Sequence, residues 1–228
     1  KNGIAKDVAA GIFLKIEPFA EYGFNKSHAA AYALIAYQTA YLKTYHKEDF
    51  IAATMSTELT STGKLREFVE ELKRLKVDVI RPCINNCFAE FRAGKNKIHY
   101  GLGAIKNVGF EAVSNIIKER EKSGKFKSVN DFIRRVNPKD VNKLQLEGLV
   151  KAGAFDKIEK NRKKIFFSIP KIIQTIKNIN EDRINNQNNL FESIHDSEKD
   201  IFDFKTKESW TKKELLAEEF NSLGFYIS

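Results

Sequence analysis

The chain has 228 residues, 42% hydrophobic and 11% aromatic, with 39 Lys and Arg against 30 Asp and Glu and a formal net charge of +9. That length suits two modules with real cores, and the charge favours a polyanionic partner over an acidic or neutral one. With a mean hydropathy of −0.42, no apolar run of bilayer length (roughly 18–20 residues) and Asp7 and Lys15 near the basic start, the expectation is a cytoplasmic chain with no leader and no membrane partner.

In chain order, Val8, Ile12 and Ile16 fall four apart and predict an amphipathic helix from Lys6 that Pro18 ends. Phe19 to Phe24 read as a connector flexing at Gly23. Ser27 to about Tyr45 reads as a long helix, apolar nearly all round, which predicts burial within a larger assembly. A polar cluster, Asn25-Lys26-Ser27-His28, stands in front of it. Ser27 or Asn25 would cap this helix, and Lys26 and His28 would sit at its N-terminal end, where anions are favoured. Tyr37 reads as a core residue, and the lone His46 and His99 as structural or surface groups. Asp49–Leu59 and Gly63–Lys76 read as further helices, the second with surface pairs such as Glu70–Arg74.

The period then changes. "CFAEFR", "AGKN" and "KIHYGL" predict a β-hairpin around a Gly-containing turn, with Phe88 and Ile98 inward. Cys83 and Cys87, four apart with no His pair beside them, match neither a zinc site nor a redox pair and read as free thiols. Helices return with "FEAVSNIIKEREK", "SVNDFIRRV", "NKLQLEGLVKAG" and "NRKKIFFSIPKIIQTIK". Residues 178–208, rich in Asn and acidic side chains, read as a linker. A short helix, Gly224 and the first residues of a strand follow. That strand has no partner left in the sequence, as if the chain stopped part-way through a structure.

The charge is uneven. Residues 1–100 carry 15 basic and 11 acidic side chains, 101–177 carry 18 and 8, and 178–228 carry 6 and 11. The basic middle segment favours nucleic acid, through phosphate neutralisation and counterion release. Within it, "IKNVGFEAVSNIIKER" resembles a helix-hairpin-helix motif: Ile105, a tight turn at Asn107-Val108-Gly109, then a helix with the apolar stripe Val113, Ile116, Ile117. Such a hairpin aims backbone amides and the start of a helix at one phosphate. Gly109 would allow close approach or a positive φ, and Asn107, where the motif usually has Gly, is the next best residue for a left-handed conformation. "LEGLVKAGAFDKI", followed by Arg162, Lys163 and Lys164, is a looser second copy. Lys106, Asn107, Val108 and Gly109 in the first hairpin, and Lys151, Gly153, Arg162 and Lys163 in the second, are the expected DNA contacts. Two such hairpins would grip a duplex without reading bases.

"FAEYGFNKSHAAAYALIAYQTAYLKTYH", "CFAEFR", "HYGLGAIKNVG" and "LVKAGAFD", in this order and spacing, resemble the C-family of bacterial replicative DNA polymerases, the polymerase III alpha subunits. The resemblance covers nearly the whole chain. It implies a mainly α fold: a helical distal-fingers segment over 1–80, then the end of the fingers with a small β-hairpin and a tandem helix-hairpin-helix region over 81–177. A linker at 178–208 and a lead-in to a downstream domain at 209–228 would complete it. It also implies a fragment, since the family's palm carboxylates, which hold two Mg²⁺ ions, have no counterpart here: there is no Asp-x-Asp motif. The parent would be a DNA-directed DNA polymerase, and this portion alone would be inactive.

The same resemblance implies an incoming dNTP near Asn25, Lys26, Ser27, His28 and Tyr32, with Lys26 and His28 contacting the triphosphate or the template backbone. Primer–template duplex would be the second partner, and a sliding clamp and other replisome subunits would meet the parent. "QNNLF", Gln187 to Phe191, only faintly resembles a clamp-binding peptide and reads as linker. Two alternatives stand beside this one: a non-enzymatic DNA-binding scaffold, and a protein–protein adaptor whose basic face is incidental.

Overall fold

A computed structural model of the chain describes residues 3–22, 25–184 and 208–227. It divides into two units, Lys1–Lys47 and Glu48–Ser228.

The first unit holds two helices, α1 (Lys6–Tyr22) and α2 (Lys26–Tyr45). Helix α1 runs through Pro18 instead of ending there. Proline's fixed φ is already helical, so inside a helix it removes one amide donor and crowds the preceding turn, which need not stop the element. Phe19 to Tyr22, expected as connector, are therefore helical, while Gly23 lies outside the described residues. In α2 no residue is buried. Tyr32, Leu34, Ile35 and Tyr37 are each more than half exposed, so Tyr37 is no core residue here. The composition that predicts burial for α2 finds no cover among the described residues.

The second unit is built on one core. Helices α3 (Lys47–Thr57) and α4 (Thr62–Arg74) contribute Ile51, Met55, Leu65, Val69 and Leu72. On the surface of α4, Glu70 pairs with Lys73 at 3.2 Å, and the Arg74 Nε donates to the Glu70 carbonyl, in place of the Glu70–Arg74 ion pair. The expected hairpin is present as β2 (Arg92–Gly94) antiparallel to β3 (Lys97–His99), with Ala93 opposite Ile98. Its left-handed turn residue is Asn96 (φ 55°), not the glycine. Ile98 is fully buried, whereas Phe88 is half-buried beneath the Arg92 guanidinium, 3.6 Å from its ring centroid. A third strand, β1 (Asp78–Ile80), pairs parallel to β3, giving the order β1-β3-β2. Three residues directly behind a helix are too few to carry a period of their own.

Between β1 and β2 the chain loops into the interior and is pinned there. Asn85 exchanges two hydrogen bonds with the Phe126 backbone, each 2.8 Å. Arg120, 6% exposed, donates through Nη1 to the carbonyls of Ile84 and Cys87 at 2.9 and 2.6 Å. Cys83 and Cys87 are free thiols, both buried; burial pushes the Cys87 thiol up to about 12, so Cys87 is not poised as a nucleophile.

Helices α5 (Phe110–Ser123), α6 (Val129–Arg135), α7 (Lys143–Lys151) and α8 (Arg162–Ile184) then complete the core with α9 (Lys212–Leu223). Helix α8 carries on to Ile184, through Pro170 and into the stretch expected as linker; residues 185–207, "QNNLF" included, lie outside the described residues. After α9, Gly224 closes the helix at φ 81°, and the expected strand is absent from residues 225–227. Phe225 enters the core beside Tyr100, and the Ile227 amide donates to the Glu219 Oε1 at 2.7 Å. A carboxylate takes the amide that a ladder would have used. The fold is mainly helical with one small sheet and two helix–turn–helix corners, and among the described residues no helix is long and apolar enough to cross a membrane.

Replacing Arg120 by Met keeps an apolar stem and strips the donors from two buried carbonyls. Arg120→Met should cost about 2–4 kcal/mol, read as a lower urea midpoint with unchanged slope.

Candidate nucleic-acid interface

The first hairpin joins a short 3₁₀ turn, Leu102–Ala104, to α5. Ile105 is buried and anchors it, while Lys106, Asn107 and Gly109 are exposed and Val108 turns inward at 7%. Asn107 takes the left-handed conformation (φ 66°), which its short polar side chain tolerates. The Val108 amide returns to the Ile105 carbonyl at 3.0 Å, closing the turn. Gly109 is the N-cap of α5 and has φ −73°, so a left-handed backbone does not require glycine there. A Cβ at Gly109 would meet only Ala112, at 4.0 Å. Nothing inside the protein calls for a glycine. With no side chain at the cap, the first amides of α5 receive no side-chain acceptor. By contrast, side-chain oxygens cap α2, α6, α7 and α9. Lys106 makes no ion pair among the described residues. The hairpin opens on a groove of about 800 Å³, lined also by Thr60, Thr62 and Phe220.

The second hairpin has a different character. Ala152, Gly153, Ala154 and Phe155 are all buried. Gly153 is left-handed (φ 80°), and a Cβ there would collide with the Arg162 guanidinium and lie 2.8 Å from the Asp156 Oδ2. Arg162, 9% exposed, pairs with Asp156 through Nε (2.8 Å) and Nη2 (2.6 Å), and its Nη1 donates to the Lys151 carbonyl at 2.9 Å. Lys151 Nζ lies 3.0 Å from the Glu218 Oε2 and 5.2 Å from the Phe166 ring. Lys163 donates to the Glu208 Oε2 at 2.7 Å. That bond holds the Lys163 ammonium above its ordinary pKa and the Glu208 carboxyl below its own. Lys164 donates to Glu159 at 2.9 Å. Burial raises the Glu159 carboxyl, but hydrogen bonds from the Asn161 amide and Lys164 outweigh it and leave it lowered.

These acidic partners were not foreseen. Asp156 and Glu159 lie within the same stretch of sequence, so their pairing with Arg162 and Lys164 had a local signal. Glu208 and Glu218 come back from far along the chain and had none. Nor was Gly148 foreseen, where the backbone of α7 comes so close to the first hairpin that a Cβ would lie 2.7 Å from the Lys106 carbonyl oxygen.

The polar cluster of the first unit forms a capped helix tip. Asn25, not Ser27, is the N-cap of α2: its Oδ1 accepts from the Ser27 amide at 3.0 Å and from the Ser27 hydroxyl at 2.6 Å. Lys26 is the first helical residue and is exposed. One turn on, the His28 and Tyr32 rings lie 4.2 Å apart, centroid to centroid, and Tyr32 is 59% exposed. Among the described residues no cluster of three or more His, Cys, Asp or Glu side chains could hold a metal. A two-metal carboxylate site therefore does not fit these residues.

A family model described as a helix-hairpin-helix motif matches residues 76–165, which span both hairpins. Three curated relatives, each the DNA polymerase III subunit alpha of its organism, align with all of this chain. That of Borreliella burgdorferi is 43% identical over 230 residues, that of Caulobacter vibrioides 40% over 228, and that of Campylobacter jejuni 39% over 233. The chain spans only 20%, 20% and 19% of their lengths.

The two glycines should separate in a melting experiment. Gly153→Ala places a Cβ into Arg162 on a left-handed backbone and should cost about 2 kcal/mol or more. Gly109→Ala should leave the melting temperature within a degree or two of the parent, about the scale of a neutral surface change.

Proposed function

We propose, for a chain that carries a helix-hairpin-helix region and is similar along its whole length to about one fifth of the DNA polymerase III alpha subunits, that it is the duplex-holding and nucleotide-positioning portion of a DNA-directed DNA polymerase. The observation that carries this reading is the first hairpin. An exposed Lys106, a left-handed Asn107 and a side-chain-free Gly109 lead into a helix whose first amides have no cap. That combination is what one backbone phosphate of a duplex would fill: the amides and the helix dipole face the oxygens, and Lys106 supplies the counter-charge. None of these groups reads a base, so the grip is independent of sequence.

In this reading Lys151 and Lys163 add charge at the second hairpin, and Gly153 and Arg162 shape it from inside. Residues 1–80 act as distal fingers, 81–177 as the end of the fingers with the duplex grip, and 209–228 lead toward a further domain. The tip of α2 meets the incoming dNTP: Lys26 and His28 face the triphosphate or template backbone, Asn25 and Ser27 hold the turn, and Tyr32 supports the His28 ring. Two Mg²⁺ ions, held elsewhere in the polymerase, would stabilise the attacking and leaving oxygens, and this chain alone would not extend a primer. A sliding clamp and other replisome subunits are partners of the polymerase as a whole.

Fluorescence anisotropy on a labelled duplex tests the grip. Affinity for unrelated duplexes should be equal and should fall steeply as salt rises. Lys106→Ala should weaken binding and flatten the log–log salt slope by about 0.9, one phosphate's worth. A wild-type affinity indifferent to salt would sink the phosphate reading. For the tip of α2, Lys26→Ala in the full-length polymerase should raise the apparent KM for dNTP at least tenfold, about 1.4 kcal/mol. Steady-state incorporation that does not change removes Lys26 from the nucleotide site.

A further inference from the structure

The acidic end of the chain lies on the basic hairpin it follows. Two lysines at the second hairpin, both half-buried, face carboxylates from residues 208–218: Lys163 with Glu208 at 2.7 Å and Lys151 with Glu218 at 3.0 Å. The same segment adds a backbone contact, the Glu208 carbonyl accepting from the Asn161 Nδ2 at 2.9 Å. At the first hairpin it brings no carboxylate to Lys106. There it offers a backbone carbonyl, that of Ser222, to the Lys106 amide at 3.0 Å.

These lysine pairs differ from the arginine pair beside them. Arg162 is buried and held to Asp156 by two bonds, so it cannot change partner without leaving a charge unpaired inside the protein. Glu208, with a side chain 77% exposed, is open to water, where solvent and salt screen its attraction for Lys163, while Glu218 is half-buried and holds Lys151 by a single contact. A backbone phosphate presents an ammonium with the same kind of anionic oxygen as a carboxylate, and the neighbouring phosphates of the duplex add to the attraction. We propose that the Glu208–Glu218 segment is a built-in phosphate mimic. It occupies Lys163 and Lys151 in the free protein and yields them to the backbone of a bound duplex, so that the second hairpin joins the grip only by displacing it. This rests on the duplex-binding reading of the first hairpin. The device sets a threshold. The first hairpin is open at all times, and the second engages only where a phosphate lies close enough to outcompete a tethered acid.

The test is duplex binding by the full chain, by anisotropy at fixed salt, in a double-mutant cycle. Glu208→Gln keeps the shape of an exposed side chain and should tighten binding about threefold. In a Lys163→Ala background the same change should do nothing, because the lysine it releases is gone. Glu218→Gln against Lys151→Ala forms an independent second cycle with the same expectation. Unchanged affinity in both single Gln variants overturns the proposal. So does equal tightening with and without the lysine, which would mean that removing any negative charge helps. A wild-type chain that binds duplex only weakly and without salt dependence overturns the duplex reading itself, and this proposal with it.

Discussion

The second unit depends on one close approach. At Gly148 the backbone of α7 presses against the first hairpin, 2.7 Å from the Lys106 carbonyl oxygen and 3.1 Å from Val108 Cγ2 measured to where a Cβ would stand. No other residue leaves that space. The consequence runs along α7, because its C-terminal end is itself the start of the second hairpin. Gly148 stands three residues before Lys151, so only about 4.5 Å of helix separates the contact with the first hairpin from the start of the second. Helix α9 closes the arrangement from the other side. Ser222 accepts the Lys106 amide, and Gly224 fits against Thr62 at the start of α4.

The formal charge of the basic region is divided by chemistry. Three of its arginines, Arg120, Arg135 and Arg162, are turned inward. Arg120 serves two carbonyls, Arg162 serves Asp156 and a carbonyl, and Arg135 bonds Glu119, Asp131 and the Gly124 carbonyl while its guanidinium covers Phe126. A planar fork with five donors can satisfy several acceptors at once, which suits it to pinning loops. Lysine, a single mobile charge, is left for the rim. Net charge alone therefore overstates what this region can offer to a polyanion. The quantity that matters is the lysine charge left unneutralised at the hairpins.

What the sequence made legible followed local rules. The β2–β3 hairpin, the presence of the helices though not all their ends, and the left-handed Asn107 depend on residues within a few positions of one another. What it hid was long-range. The inward turn of Arg120 depends on a loop more than thirty residues earlier, and the partners of Lys151 and Lys163 come from α9 and the residue run just before it. Gly109 was expected to need either close approach or a positive φ; its φ of −73° rules out the second, and within the described residues a Cβ there would meet only Ala112. The tail misled for a related reason. "GFYIS" has a strand's composition, but Glu219 takes the amide of Ile227 before any ladder can. At α2 the pattern predicts burial, and none of its residues is buried among the described residues.

The bond between the Lys106 amide and the Ser222 carbonyl also bears on the order in which the molecule can be made. A ribosome delivers the chain from its N-terminus, so both helical corners emerge long before α9 does. Until then the Lys106 amide is satisfied by water, the hollow beside Tyr100 lacks Phe225, and Thr62 has no Gly224 against it. Maturation of the first hairpin is thus tied to the arrival of a segment made much later. A nascent chain that has not yet released α9 holds the sequence of its grip without its finished geometry.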